Sequence, residues 1–147
     1  MNNVVTEENK IIIRYNVEMD DFSKVGEASS KIKKILRQLN IDNKVIRRVS
    51  IAAYEAEVNV AIHSFGGFIE VVVIENEINI KVRDNGPGIE DTELAMKKGY
   101  STASKKAIEL GFGAGMGLPN MRRCSDIFKI ESKFGEYTEL NMKFKLC

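Results

Sequence analysis

Two stretches of this sequence alternate apolar and polar residues without a break, and that period of two is its strongest constraint on fold. Ile78, Ile80 and Val82 interleave with Asn79, Lys81 and Arg83. Leu140, Met142, Phe144 and Leu146 interleave with Glu139, Asn141, Lys143 and Lys145. Successive side chains of a strand point to opposite faces, so each stretch predicts a strand with one buried and one wet face. Something must cover the buried face, and the sequence supplies helices. Phe22, Val25, Ala28, Ser29, Ile32, Ile35, Leu36 and Leu39 recur at helical spacing behind Asp20 and Asp21, which can cap a helix start. Val45, Val49, Ala52, Ala56 and Val60 form a second stripe, opened by Asp42, running to about His63 and stopped by Gly66 and Gly67.

The remaining elements follow from turn residues and β-branched runs. Strands are expected over 11–17, 68–74, 77–83, 127–132 and 137–146, the second and third forming a hairpin. Short helices are expected over 91–97 and 118–124, with Pro119 tolerated in a first turn. The fold class is α+β: a two-layer sandwich in which helices cover one face of a mixed, mostly antiparallel sheet. At 147 residues it is expected to be a single domain, 1–147. Residues 98–117 hold five of the eleven glycines, a long irregular stretch of the kind used as a mobile lid.

Composition removes several functions. Lys plus Arg number 22 against 21 Asp plus Glu, so bulk charge gives no support to nucleic-acid binding. A single histidine, His63, excludes His-rich metal sites, and its expected role is packing or capping. Cys124 and Cys147 form no disulfide framework and read as free thiols, which fits a cytoplasmic protein. The N-terminus lacks an apolar signal region, and no apolar run reaches the length of a membrane span.

Chemistry concentrates in three places. Glu55 and Asn59 are four apart and share one face of the second helix. A carboxylate there can orient or deprotonate a hydroxyl, and one amide oxygen suits a magnesium ion whose other ligands come from phosphates. Glu57 lies roughly 200° round the helix and is expected to be a solvated carboxylate. Asp84 continues the even, core-facing series of its strand, and Thr138 continues that of the last one. A buried carboxylate needs donors, and two inward polar residues on different strands are explained by a shared buried ligand such as an adenine. Asp84 as an ordinary turn residue before Asn85 and Gly86 stays open. Gly86 and Gly88 permit close backbone approach. The glycines over 111–117 can aim N–H groups and a helix N-terminus at phosphates, although no P-loop or Rossmann pattern is present.

In this order the segments resemble the Bergerat-fold GHKL superfamily of gyrases, heat-shock chaperones, histidine kinases and mismatch-repair ATPases. Glu55-x3-Asn59 matches the N-box, Asp84-x-Gly86-x-Gly88 the first glycine box, and Gly113-x-Gly115-x-Gly117-Leu118 the second. The resemblance covers nearly the whole chain. Gly99-Tyr100-Ser101-Thr102 and the Gly113 to Pro119 run look most like the anti-sigma regulatory factors and their serine/threonine switch kinases.

The resemblance implies ATP and Mg2+ as cofactors, Glu55 as catalytic base and Asn59 as magnesium ligand. Asp84 would bind the adenine amino group with Thr138 in the same water network, and Gly86 and Gly88 would shape that pocket. Ser101, Thr102, Gly113, Gly115, Gly117 and Leu118 would line the lid and phosphates. The segment 103–111, with Lys105, departs from the family as a longer lid, and no phosphoacceptor-histidine helix pair is present. The implied function is a protein kinase acting on a Ser or Thr of a STAS-type antagonist. The alternatives are an anti-sigma factor that binds a sigma subunit with ATP as a switch, and a stand-alone ATP-binding module. Neither nucleic acid nor membrane is an expected partner, and a homodimer stays open.

Overall fold

The computed structural model describes residues 3–7, 9–19, 21–63, 65–86, 92–97 and 117–146. Within them lie six strands: β1 (Asn3–Glu7), β2 (Lys10–Val17), β3 (Gly67–Val73), β4 (Glu77–Asp84), β5 (Ile127–Lys133) and β6 (Tyr137–Lys145). Four α-helices accompany them: α1 (Glu27–Gln38), α2 (Asn43–His63), α3 (Thr92–Ala95) and α4 (Gly117–Cys124). The strands form one sheet in the order β1-β2-β3-β4-β6-β5, and all five pairings are antiparallel.

The period of two holds as expected. Ile78, Ile80 and Val82 on β4 and Leu140, Met142 and Phe144 on β6 are all buried. They share a core with Ile13, Ile69 and Val71 of the sheet and with Ile32, Leu36, Val49, Ala56, Val60 and Met121 of the helices. The opposite face carries charges that pair across strands, Arg14 with Glu70 at 3.6 Å and Arg83 with Glu139 at 3.2 Å. Arg14 also lies over the Phe68 ring and Arg83 over Tyr137. Such exposed pairs contribute up to about 1 kcal/mol each; burial of the other face holds the layers together.

Three local readings are corrected. The first strand is β1, which the polar N-terminus did not announce. It pairs with β2 through a tight turn in which Asn9 takes a left-handed φ of 65°. Asp21 does not open α1. It accepts a hydrogen bond from Ser23 at 2.8 Å beside a 3-10 turn over Phe22–Lys24, and α1 starts only after Gly26, whose φ is 104°. The third correction concerns Glu57, which is buried at 2% exposure. Gly26 offers no side chain to cap α1, and Glu57 supplies the cap from α2, its Oε2 accepting the Ala28 N–H at 3.2 Å. By contrast α2 begins as its sequence suggests, with Asp42 Oδ1 accepting from the Lys44 N–H at 2.7 Å.

Candidate functional site

The helical layer is ordered α1-α2-α4, since both outer helices pack mainly on α2. That arrangement sends the two glutamates of α2 to different neighbours. Glu57 meets the start of α1, whereas Glu55 meets α4. Asn120 of α4 donates through Nδ2 to Glu55 Oε1 at 3.5 Å. The first residue of α4, Gly117, sits so close that a Cβ there would lie 3.2 Å from Glu55 Oε2. Seven residues earlier on α2, Arg48 donates to the Cys124 carbonyl at 3.1 Å and so satisfies the C-terminal end of α4. The short helix α4 is therefore held to α2 near both of its ends. Glu55 and Asn59 are both half-buried on α2. Burial raises the proton affinity of Glu55 above that of an ordinary glutamate, and the Asn120 hydrogen bond opposes the shift.

The second group forms where β4 ends. Asp84 and Thr138 are register partners across β4 and β6, and both are buried, at 6% and 3% exposure. Asp84 Oδ1 accepts the Gly86 N–H at 3.0 Å and the Thr138 N–H at 3.1 Å. The Thr138 hydroxyl lies 2.9 Å from that of Ser132 on β5. Burial raises the Asp84 pKa, against the lowering effect of these two backbone donors and of Arg83. Both bonds land on Oδ1, which leaves the lone pairs of Oδ2 uncommitted among the described residues.

Glycine is required here for two different reasons. Gly86 has a φ of 107°, and a Cβ on it would approach the Glu136 carbonyl to 3.0 Å. Gly67, the register partner of Asp84, has no room at all, since a Cβ there would lie 2.1 Å from the Arg83 carbonyl oxygen. Gly67 thus fixes the backbone that presents Asp84, a role the sequence offered only as a helix stop.

The structure brings together Asp84, Gly86 and Thr138, and separately Glu55 and Gly117. Asn59 lies one turn beyond Glu55, and Leu118 is a core residue at the start of α4. Gly88, Ser101, Thr102, Gly113 and Gly115 fall outside the described residues, as do Lys105, nearly all of the expected lid, and the His63 side chain. Asn120 and Ser132 were not anticipated. Asn120 carried no motif, and Ser132 was taken only as part of a strand.

The arrangement has two carboxylates with an oxygen left uncommitted among the described residues, one at the end of β4 and one beside α4. A buried carboxylate can accept from an adenine amino group, and a half-buried one faces the helix that follows the glycine run. Residues 44–146 match the family model described as histidine kinase-, DNA gyrase B-, and HSP90-like ATPase. The chain is 32% identical to the anti-sigma F factor of Clostridium acetobutylicum, over 95% of this chain and 96% of that one. It is 28% identical to the serine/threonine-protein kinase RsbT of Bacillus subtilis, over 74% and 78% of the two chains. A chain in the crystal structure of the SiaB-SiaC complex from Pseudomonas aeruginosa superposes with a TM-score of 0.62 at 13% identity, covering 89% of this chain and 88% of that one, which shows the shared fold. The chain belongs to the histidine kinase-, DNA gyrase B- and HSP90-like ATPase family, in the branch that holds the anti-sigma factors and their serine/threonine kinase relatives.

Proposed function

We propose that this protein is an ATP-dependent serine/threonine kinase that phosphorylates a STAS-type antagonist protein in the cytoplasm. The observation that carries this reading is Glu55, a half-buried carboxylate with raised proton affinity facing the start of α4. A base so placed suits removal of a proton from an incoming hydroxyl near neutral pH. Glu55 takes that proton, the hydroxyl oxygen attacks the γ-phosphorus, and the bond to the β-phosphate oxygen breaks to release ADP. Asp84, through Oδ2, and Thr138 recognise the adenine edge. The residues present fit a magnesium ion: the Asn59 amide oxygen on the Glu55 face would hold it, and when bound it supplies charge neutralisation to the phosphates. Gly88, Ser101, Thr102, Gly113, Gly115 and Gly117 are proposed to surround the nucleotide, as the resemblance implies.

The family and the RsbT relative support the kinase reading. Several relatives named anti-sigma F factor support a second reading, in which the chain binds a sigma subunit and ATP acts as a switch. Among the described residues no helix is long and apolar enough to cross a membrane. Incubation with γ-labelled ATP and candidate STAS proteins tests the first reading: label should pass to the partner from the wild-type chain and not from Glu55→Ala. Nucleotide-dependent recovery of a sigma subunit without any transfer would favour the second.

A further inference from the structure

Glu55 has one side-chain partner among the described residues, and the chemistry of that partner is fixed by a third residue. Arg123, one turn further along α4, donates through Nη2 to Asn120 Oδ1 at 2.6 Å. A guanidinium has only donors, so it can face only the oxygen of the amide. The Asn120 amide is therefore held in one of its two flipped orientations, with Nδ2 turned to Glu55 at 3.5 Å. From these contacts we propose that Asn120, oriented by Arg123, is the positioning residue for Glu55, presenting it as an ionised acceptor toward the reacting hydroxyl. This rests on the reading of Glu55 as the catalytic base.

The physical case has three parts. An amide N–H bonds more strongly to a charged carboxylate oxygen than to a neutral carboxyl, so it favours the form that can take a proton. The long 3.5 Å separation matches catalytic hydrogen bonds before reactants arrive, which shorten in the reactive complex. The absence of a side chain at Gly117 leaves the other oxygen, Oε2, clear on the α4 side, where a Cβ would otherwise stand 3.2 Å away. One oxygen is held and the other is open, as a base needs. Arg48, which ties the far end of α4 to α2, keeps Asn120 at this height along the helix.

The test compares Asn120→Ala, Asn120→Asp and Arg123→Gln in the full chain. Asn120→Asp keeps the acceptor for Arg123 but replaces the donor to Glu55 with a second carboxylate. A purely structural role in seating α4 would leave Asn120→Asp close to wild type and Asn120→Ala impaired. The positioning role reverses that order: kcat for consumption of γ-labelled MgATP should fall about tenfold in Asn120→Ala and further in Asn120→Asp, with KM for MgATP little changed. Arg123→Gln should show a smaller loss of the same kind.

A second readout does not need turnover. The Glu55 side-chain carboxyl, assigned by its loss in Glu55→Gln and followed by 13C NMR, should titrate higher in Asn120→Ala than in wild type and higher still in Asn120→Asp. Identical Glu55 titrations in the three proteins, or an Asn120→Asp enzyme as active as wild type, would overturn the proposal. The underlying reading fails separately: full phosphoryl transfer by Glu55→Ala removes Glu55 as base, whatever the Glu55 titration shows.

Discussion

Glu55 and Glu57 are separated by one alanine on the same helix, yet they occupy opposite flanks of α2 and do different work. Glu57 faces inward to the start of α1, is 2% exposed and accepts a backbone N–H that no other side chain caps. Its Oε1 is buried with no hydrogen-bond partner among the described residues. Glu55 faces α4, is half-buried, and accepts from a side-chain amide. Burial raises the pKa of both, but different groups oppose the shift: backbone donors at Ala28, Gly26 and Ser29 for Glu57, Asn120 alone for Glu55. A carboxylate committed to a helix end is structural, whereas one with an open oxygen beside a helix that follows a glycine run is available for chemistry. The contrast teaches that neither raised proton affinity nor an unpartnered oxygen is enough to make a carboxylate available for chemistry; the second oxygen must also be accessible, as the half-buried Glu55 allows and the 2% exposed Glu57 does not.

The sharpest way to break that contrast is to remove each carboxylate in turn. Glu55→Ala should lower phosphoryl transfer by about 10²–10⁴-fold while leaving ATP-dependent thermal stabilisation in place. Glu57→Ala should do the reverse, losing about 1–3 kcal/mol of stability in urea unfolding because the Ala28 N–H is left buried without an acceptor, with transfer per folded molecule retained. Equal loss of transfer in the two variants would erase the distinction.

Asp84→Ala should be intermediate in kind. It strands the N–H groups of Gly86 and Thr138, at about 1–3 kcal/mol, and it should also abolish the rise in Tm on adding ATP. A normal ATP shift in this variant would remove Asp84 from the adenine pocket.

The pH dependence sharpens the structural half of the comparison. The folded state holds the Glu57 proton more tightly than the unfolded chain does. Its contribution to stability is therefore complete below the ordinary glutamate range and is lost as pH rises through the elevated folded value. Glu57→Gln keeps an oxygen for the Ala28 N–H and removes the titration. Its unfolding free energy should thus fall less than that of wild type as pH rises from the ordinary glutamate range toward neutrality. The smallest effect expected is that of Thr138→Val, which keeps the backbone N–H to Asp84 and loses only the contact with the Ser132 hydroxyl. It should cost about 0.5–1.5 kcal/mol and weaken ATP binding modestly, as read by calorimetry.

Much of this was legible beforehand, and what was not has an identifiable cause. Ile78 to Asp84 and Thr138 to Phe144 could be assigned to faces because a strand has a side-chain period of two, so the inward direction of Asp84 followed from Val82. Asp42 announced α2 correctly because its capping bond, to Lys44, is local. Asp20 and Asp21 misled for the same kind of reason: the local pattern resembles a helix start, but α1 is capped by a residue 29 positions away from Ala28. The strand β1 was missed because Val4 and Val5 lie exposed and give no buried face to read.

The chain by itself therefore determined the strand faces, the span of α2 and the pairing of Glu55 with Asn59, since each depends on residues within a few positions of one another. Only the tertiary structure decided that Glu57 is buried, that Asn120, itself bonded by Arg123, reaches Glu55, and that Gly67 sets the backbone at Asp84. Helical geometry says that Glu57 points away from Glu55; it cannot say whether water or the end of another helix is waiting there. That depends on how α1, α2 and α4 lie side by side on the sheet, and packing between distant segments is where burial, and with it the role of each carboxylate, is settled.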